Sequence, residues 1–182
     1  MLLAITRLHV AAVLLFVTAS VPASAQGTGP RLIVLGGVGT HLNAGVSGDT
    51  ESIAAGLSLG RFDLLIGGER IHIPTERSQF GATRGGTSRF VTGEIRVSPV
   101  TFGRTAPYLL AGFGRGTSRP TVNEIFPNPV TNDAWLLFAG AGARVALTNR
   151  LGAFADVRAG IQGELDSAFL LVPLRVGLAW RF

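Results

Sequence analysis

The chain has 182 residues, room for one domain of ordinary size, and no cysteine, so stability outside the cytoplasm would not depend on disulfides. Its formal net charge is +5, with arginine as the basic residue throughout and no lysine. These arginines are scattered, with no basic cluster interleaved with aromatics, which argues against a nucleic-acid partner.

The first segment, MLLAITRLHVAAVLLFVTASVPASAQ, places Arg7 ahead of an apolar run, Val10 to Val17, and then Ala23-Ser24-Ala25. That is the layout of a secretory signal peptide over residues 1–25, cleaved before Gln26, and the apolar run is too short to span a bilayer comfortably. Residues 26–182 then make one domain. The mean hydropathy of the whole chain, +0.40, is high, yet no stretch after residue 25 approaches the roughly 20 apolar residues of a membrane helix. The apolar residues come in short pieces separated by glycine, 25 in the whole chain, and glycine disfavours helix. High hydrophobicity without long runs is the pattern of a transmembrane β-barrel, whose strands present every second residue to lipid.

Eight strands follow in order, each near the roughly 9–11 residues that a tilted membrane strand needs. The first, Arg31–His41, could turn either Leu32, Val34 and Val38 or Ile33 and Leu35 outward. The second, Glu51–Gly60, sets Ile53, Ala55, Leu57 and Leu59 against Ser52, Ala54, Gly56 and Ser58. The third, Phe62–Ile71, sets Phe62, Leu64 and Ile66 against Asp63, Leu65, Gly67 and Glu69. In the fourth, Ser88–Ser98, Val91, Ile95 and Val97 oppose Thr92, Glu94 and Arg96. The fifth, Ala106–Arg115, could face out with Leu109, Ala111 and Phe113 or with Tyr108 and Leu110. The sixth, Asp133–Leu147, sets Trp135, Leu137 and a run of alternate alanines against Gly140, Gly142 and Arg144. The seventh, Leu151–Gly160, sets Ala153, Ala155 and Val157 against Phe154, Asp156 and Arg158. The eighth, Phe169–Phe182, sets Leu174, Val176, Leu178, Trp180 and Phe182 against Arg175, Gly177, Ala179 and Arg181. Strict period-two alternation reads as strand.

The connections alternate in length on this division, odd ones longer than even ones, as for a barrel of hairpins with short turns at one rim and loops at the other. The long segments, NAGVSGDT, PTERSQFGATRGGT and GTSRPTVNEIFPNPVTN, have loop composition. A soluble lipocalin-like barrel would also alternate. Here, however, the apolar faces are smooth and the opposite faces are rich in glycine, which suits the narrow lumen of a small membrane barrel. Phe62, Tyr108, Trp135, Phe169, Trp180 and Phe182 fall near strand ends, where interfacial girdles sit. Pro173, with no ladder donor, would mark the first residue of the last membrane strand or a bulge.

Arg175-x-Gly177-x-x-Trp180-x-Phe182 resembles the C-terminal assembly signal of bacterial outer-membrane proteins. The whole domain, through Pro107–Gly114 and the hairpin Gly140–Gly152, resembles the small eight-stranded outer-membrane barrels, the outer membrane protein A-like and porin-family barrel domains. The resemblance implies an all-β, eight-stranded antiparallel up-and-down transmembrane barrel in the outer membrane of a Gram-negative-type bacterium. It further implies recognition of the last strand by the outer-membrane assembly machinery. Since the sequence ends with the barrel, no peptidoglycan-binding domain is expected after it. Such a fold hosts many functions and transfers none.

An eight-stranded barrel has an interior just filled by side chains. The inward set Asp63, Glu69, Glu94, Arg96, Arg144, Asp156, Arg158 and Arg175 is expected to form arginine–carboxylate pairs across the lumen, since buried charges persist when paired. Arg181 would be solvated at the periplasmic rim. The expectation is a monomeric, non-enzymatic outer-membrane protein with a structural or surface-interaction role, or a minor narrow pore, with no cofactor or metal. Its surroundings would be outer-membrane lipid and lipopolysaccharide, whose phosphates suit a basic rim at Arg70, Arg77, Arg84 and Arg89. The alternatives are a lipid A-modifying enzyme, with His41 and His72 at the outer strand ends and Glu69 and Glu76 near His72, and a soluble periplasmic ligand-binding barrel.

Overall fold

The computed structural model describes residues 29–43, 46–77, 83–121, 128, 130–164 and 167–182. The signal-peptide segment 1–25 and Ile125-Phe126 lie outside the described residues, as do the side chains of Glu76, Arg77 and Arg84. Eight strands follow in chain order: β1 (Arg31–Asn43), β2 (Val46–Leu59), β3 (Phe62–Arg77), β4 (Thr83–Val97), β5 (Thr105–Pro120), β6 (Asn132–Ala146), β7 (Leu151–Glu164) and β8 (Ser167–Arg181). Each pairs antiparallel with its neighbour, and β1 pairs with β8, closing the barrel.

Closure is tight at the seam. The ladder runs from Ile33↔Arg181 to Leu42↔Val172, and Phe182 N–H donates to Leu32 O at 2.9 Å beyond it. The β2–β3 hairpin turns on Gly60-Arg61, where Gly60 takes a positive φ of 64°, the conformation that two-residue hairpins require and glycine supplies without strain.

The strands overrun the sequence-based boundaries mostly at one end. β3 continues to Arg77 and β4 begins at Thr83, so most of Ile71–Ser88 is ladder rather than loop. β5 likewise runs to Pro120, and the first hairpin closes from Asn43 to Val46. The expected alternation of loop lengths therefore fails: residues 98–104 between β4 and β5 outnumber residues 44–45 between β1 and β2. The physical reason is that apolar alternation stops where lipid would stop, while main-chain pairing continues into water. A 16-residue strand such as β5 rises roughly 50 Å along its axis, well beyond an apolar band about 25 Å tall even when tilted.

Pro74 sits where the β3–β4 register shifts, between Ile73 and Glu76, a bulge at a residue without a ladder donor. Pro173 is different. It lies inside β8, and the β7–β8 register is the same on both sides of it, Gly160↔Leu171 and Val157↔Leu174, so it leaves a gap in pairing rather than a bulge or a strand start.

The wall is inverted relative to a soluble barrel. Ile53, Ile66 and Val91 are 65–66% exposed on the outside, while Arg158 and Asp156 are 2% exposed inside. The two open facings resolve: Leu32 and Val38 on β1, and Leu109 and Phe113 on β5, point outward, and Ile33, Leu35, Tyr108 and Leu110 point inward.

Candidate functional site

The lumen is layered. Near the Gly60 turn, Ile33, Leu35, Leu65, Phe154 and Ala179 form an apolar floor. Toward the opposite end, Ile71, Phe90, Leu136, Phe138 and Leu171 form a second apolar layer. Between them lies a sheet of charge. Alternate residues of a strand point inward, so carboxylates and guanidiniums two apart on β4 (Glu94, Arg96) and β7 (Asp156, Arg158) enter the same space.

Three arginines and three carboxylates meet there. Arg175 engages Asp156 bidentately, with Nε to Oδ1 and Nη2 to Oδ2 both at 2.9 Å, and its Nη1 donates to Ser52 Oγ at 3.1 Å. Arg158 spreads its fork over three acids: Nη1 to Glu69 at 3.2 Å, Nε to Asp156 at 3.3 Å, and Nη2 to Glu94 in a short contact. Arg96 closes the set through Glu94, 2.5 Å away, and lies 3.8 Å from Asp156. Tyr108 O–H donates to Asp156 Oδ2 at 2.9 Å and accepts from Arg96 Nη1 at 3.4 Å. Buried charges are stable only when matched and hydrogen-bonded, and this cluster is neutral as a set.

Arg144 and Asp63 sit apart from it, toward the turn end, as a separate pair across the lumen at 2.8 Å. The structure therefore divides the eight predicted charged residues into a six-residue cluster and one pair. Arg181 lies at the same end as Arg144. It is partly buried rather than fully solvated, and its Nε has no hydrogen-bond partner among the described residues.

Aromatic rings complete the plug; alternation had put Phe154 on the charged face, but it left Tyr108 open and did not single out Phe138. Phe138 lies under the Arg158 guanidinium at 4.5 Å, and Tyr108 and Phe154 flank Arg96 at 4.8 and 5.0 Å, distances of cation–π contact. Lumen glycines are their seats: a Cβ on Gly142 would stand 2.8 Å from the Tyr108 ring, and one on Gly177 2.7 Å from Phe154. The glycine pattern was the available signal, because a stripe of glycine facing a barrel interior leaves volume that something large must fill. Tyr108 and Phe169 are accordingly lumen residues, not girdle aromatics; Phe169 packs against the upper apolar layer. Phe62, Trp135 and Phe182 do face outward, and Trp135 covers Gly163. A void beside Arg158 and Phe138 measures about 10 Å³, space for about one water.

His41 and His72 lie on opposite faces of the wall. His41 is buried inside the wall, with neither ring nitrogen hydrogen-bonded among the described residues. His72 is on the outer face, where its Nδ1 lies 3.1 Å from Thr87 Oγ1. Glu69 is held by Arg158 and Thr50. No group of three metal-ligating side chains occurs among the described residues.

On the outside, directly beyond the apolar belt of β3, β4 and β5, stand Arg70, Arg89 and Arg115, all exposed. Arg70 and Arg89 are direct cross-strand partners. Arg70 also reaches Glu51 at 3.5 Å, a solvent-exposed contact of little strength.

A closed eight-stranded up-and-down barrel with an apolar outer wall and an ion-paired interior defines a class: the fold of the small outer-membrane β-barrels. Among solved structures, the chain is similar to Neisserial surface protein A, with 13% identity, a TM-score of 0.65, and coverage of 84% of this chain and 97% of that one. It is similar also to the N-terminal barrel domain of Pseudomonas aeruginosa OprF (14% identity, TM-score 0.55, 83% and 97% coverage). A third is a major outer membrane protein of Thermus thermophilus (15% identity, TM-score 0.51, 84% and 99% coverage). No family model matches the sequence, and no curated protein matches it.

Proposed function

We propose that this chain is a non-enzymatic integral outer-membrane protein of a Gram-negative-type bacterium, with a structural or surface-interaction role and a lumen sealed by its charge network. The observation that carries the reading is the inverted wall. Large side chains such as Ile53 and Ile66 face out, and matched charges face in. A soluble ligand-binding barrel needs the reverse, an apolar cavity and a polar exterior. The filled lumen favours the sealed form over the narrow pore, since an eight-stranded interior is just wide enough for its own side chains. A lipid A-modifying site at the rim draws no support from histidines on opposite faces of the wall.

The end with Gly60-Arg61 and residues 147–150, where the apolar wall starts at the turns (Leu59, Phe62, Leu147) while the strands overrun it at the other end, would lie in the periplasm. The Arg70–Arg89–Arg115 row would then stand at the outer-leaflet headgroups, with Ile66, Val91 and Phe113 below it for acyl chains. Guanidiniums bind phosphate bidentately, so this row suits the phosphates of lipopolysaccharide. The test is fractionation of expressing cells, mobility in detergent with and without boiling, and single-channel recording in planar bilayers. The reading expects outer-membrane location, a heat-dependent mobility change and no conductance steps. A heat-indifferent soluble protein would overturn the location, and steady conductance the sealed lumen.

A further inference from the structure

Beyond the central cluster, the turn end of the lumen gathers several arginines. There, β6, the turn Leu147–Arg150, the start of β7 and the end of β8 enclose a pocket of about 50 Å³. Arg144, Arg150 and Arg181 line it together with Thr148 and Asn149, and no carboxylate does. The nearby acid, Asp63, is taken by Arg144 at 2.8 Å. Arg181 Nε is buried with no acceptor among the described residues, and a buried guanidinium N–H without an acceptor is costly. Thr148 Oγ1 accepts from Leu151 N–H at 2.9 Å and from Arg150 N–H at 3.2 Å. Its own proton is left to donate elsewhere, since a hydroxyl carries one donor.

We propose that this mouth is a binding site for a soluble phosphate group, held by Arg181 and Arg144 with Thr148 as an added donor. Phosphate is the group whose oxygens match several guanidinium forks at once. A soluble source fits better than a lipid headgroup. Arg144 and Arg181 point inside the wall, whereas the lipid-side positions at this end belong to Leu151, Trp180 and Phe182. The pocket, at about 50 Å³, has room for a small oxyanion in place of a few waters.

The test is titration of inorganic phosphate, at constant ionic strength made up with chloride, into the whole barrel refolded in uncharged detergent. The readout is the arginine Nε–H resonances by NMR. Saturable shifts are expected at Arg181 and Arg144 in the wild type, lost in Arg181→Gln and kept in Arg61→Gln, which alters an exposed turn arginine at the same end. Arg181→Lys retains the charge but lacks Nε, and should weaken binding about tenfold or more, the worth of one charge-assisted hydrogen bond. Absent shifts, or unsaturable ones of equal size at Arg61, overturn the site. Shifts produced by phosphatidylglycerol nanodiscs but not by inorganic phosphate overturn the soluble source. The titration reads the same site whichever way the barrel sits in a membrane, so its failure is separate from failure of the proposed location.

Discussion

Asp156 on β7 and Arg175 on β8 are direct cross-strand partners, and both Asp156 oxygens receive Arg175 nitrogens at 2.9 Å. The pair is thus built by ladder register as well as by charge. Asp156 also accepts from Tyr108 and Arg158, which makes it the acceptor on which three elements converge.

Asp156→Asn should therefore destabilise the barrel by about 3–5 kcal/mol, because it leaves neighbouring guanidiniums buried without their counter-charge. Asp156→Leu combined with Arg175→Met should recover much of that loss. Heat- or urea-dependent unfolding followed by gel mobility measures both. Equal losses in the single and double variants would mean that packing, not charge, holds this layer.

Gly37 illustrates the cost of filling the lumen. A Cβ there would meet the Phe154 ring at 3.0 Å and Val176 O at 3.2 Å. Gly37→Ala should cost about 1–3 kcal/mol by overpacking. Phe154→Leu in the same chain should relieve part of it, so the two substitutions should be non-additive in a double-mutant cycle.

The contrast between wall and lumen also marks what was legible in the sequence. Period-two patterning identified all eight strands and the inward charges, because Asp63, Glu94 or Arg158 on a lipid face would be expensive. It did not reach β3 beyond Ile71 or β5 beyond Arg115, where the outer face meets water and the buried inner face is partly polar, as at Ser118, so no apolar alternation marks the strand. It also assigned Tyr108 and Phe169 to a girdle, since position near a strand end does not report the facing of the side chain. Which arginine pairs with which acid was not legible either: Asp63 is in register with Arg96 yet binds Arg144 across the lumen.

Arg70 and Arg89 face each other across the β3–β4 ladder with like charge, an arrangement that costs stability unless an anion bridges it. Arg89→Glu should raise stability by about 0.2–1 kcal/mol in lipopolysaccharide-free detergent. It should also lower the amount of lipopolysaccharide that copurifies from membranes. Phosphate analysis of the purified protein beside wild type decides this; unchanged copurification would remove the row from the lipid contact.

Trp180 and Phe182 pack at 6.2 Å between ring centroids on the strand that closes the barrel. If the assembly machinery reads this strand, Phe182→Ala should reduce the heat-modifiable form in cells while leaving refolding of purified protein in detergent nearly unchanged. Equal loss in both settings would make Phe182 a packing residue rather than a recognition residue.

The most direct test of the inverted wall is a cysteine scan of β7. The chain has no cysteine of its own, so each introduced thiol is unique. Spin labels at Ala153, Ala155, Val157 and Ala159, in protein reconstituted into bilayers, should be relaxed by oxygen and shielded from a water-soluble nickel chelate. A label at Gly160 should be reached poorly by both. Labels at Ala155 and Val157 that are readily relaxed by the chelate would contradict the lipid-facing wall and with it the membrane barrel.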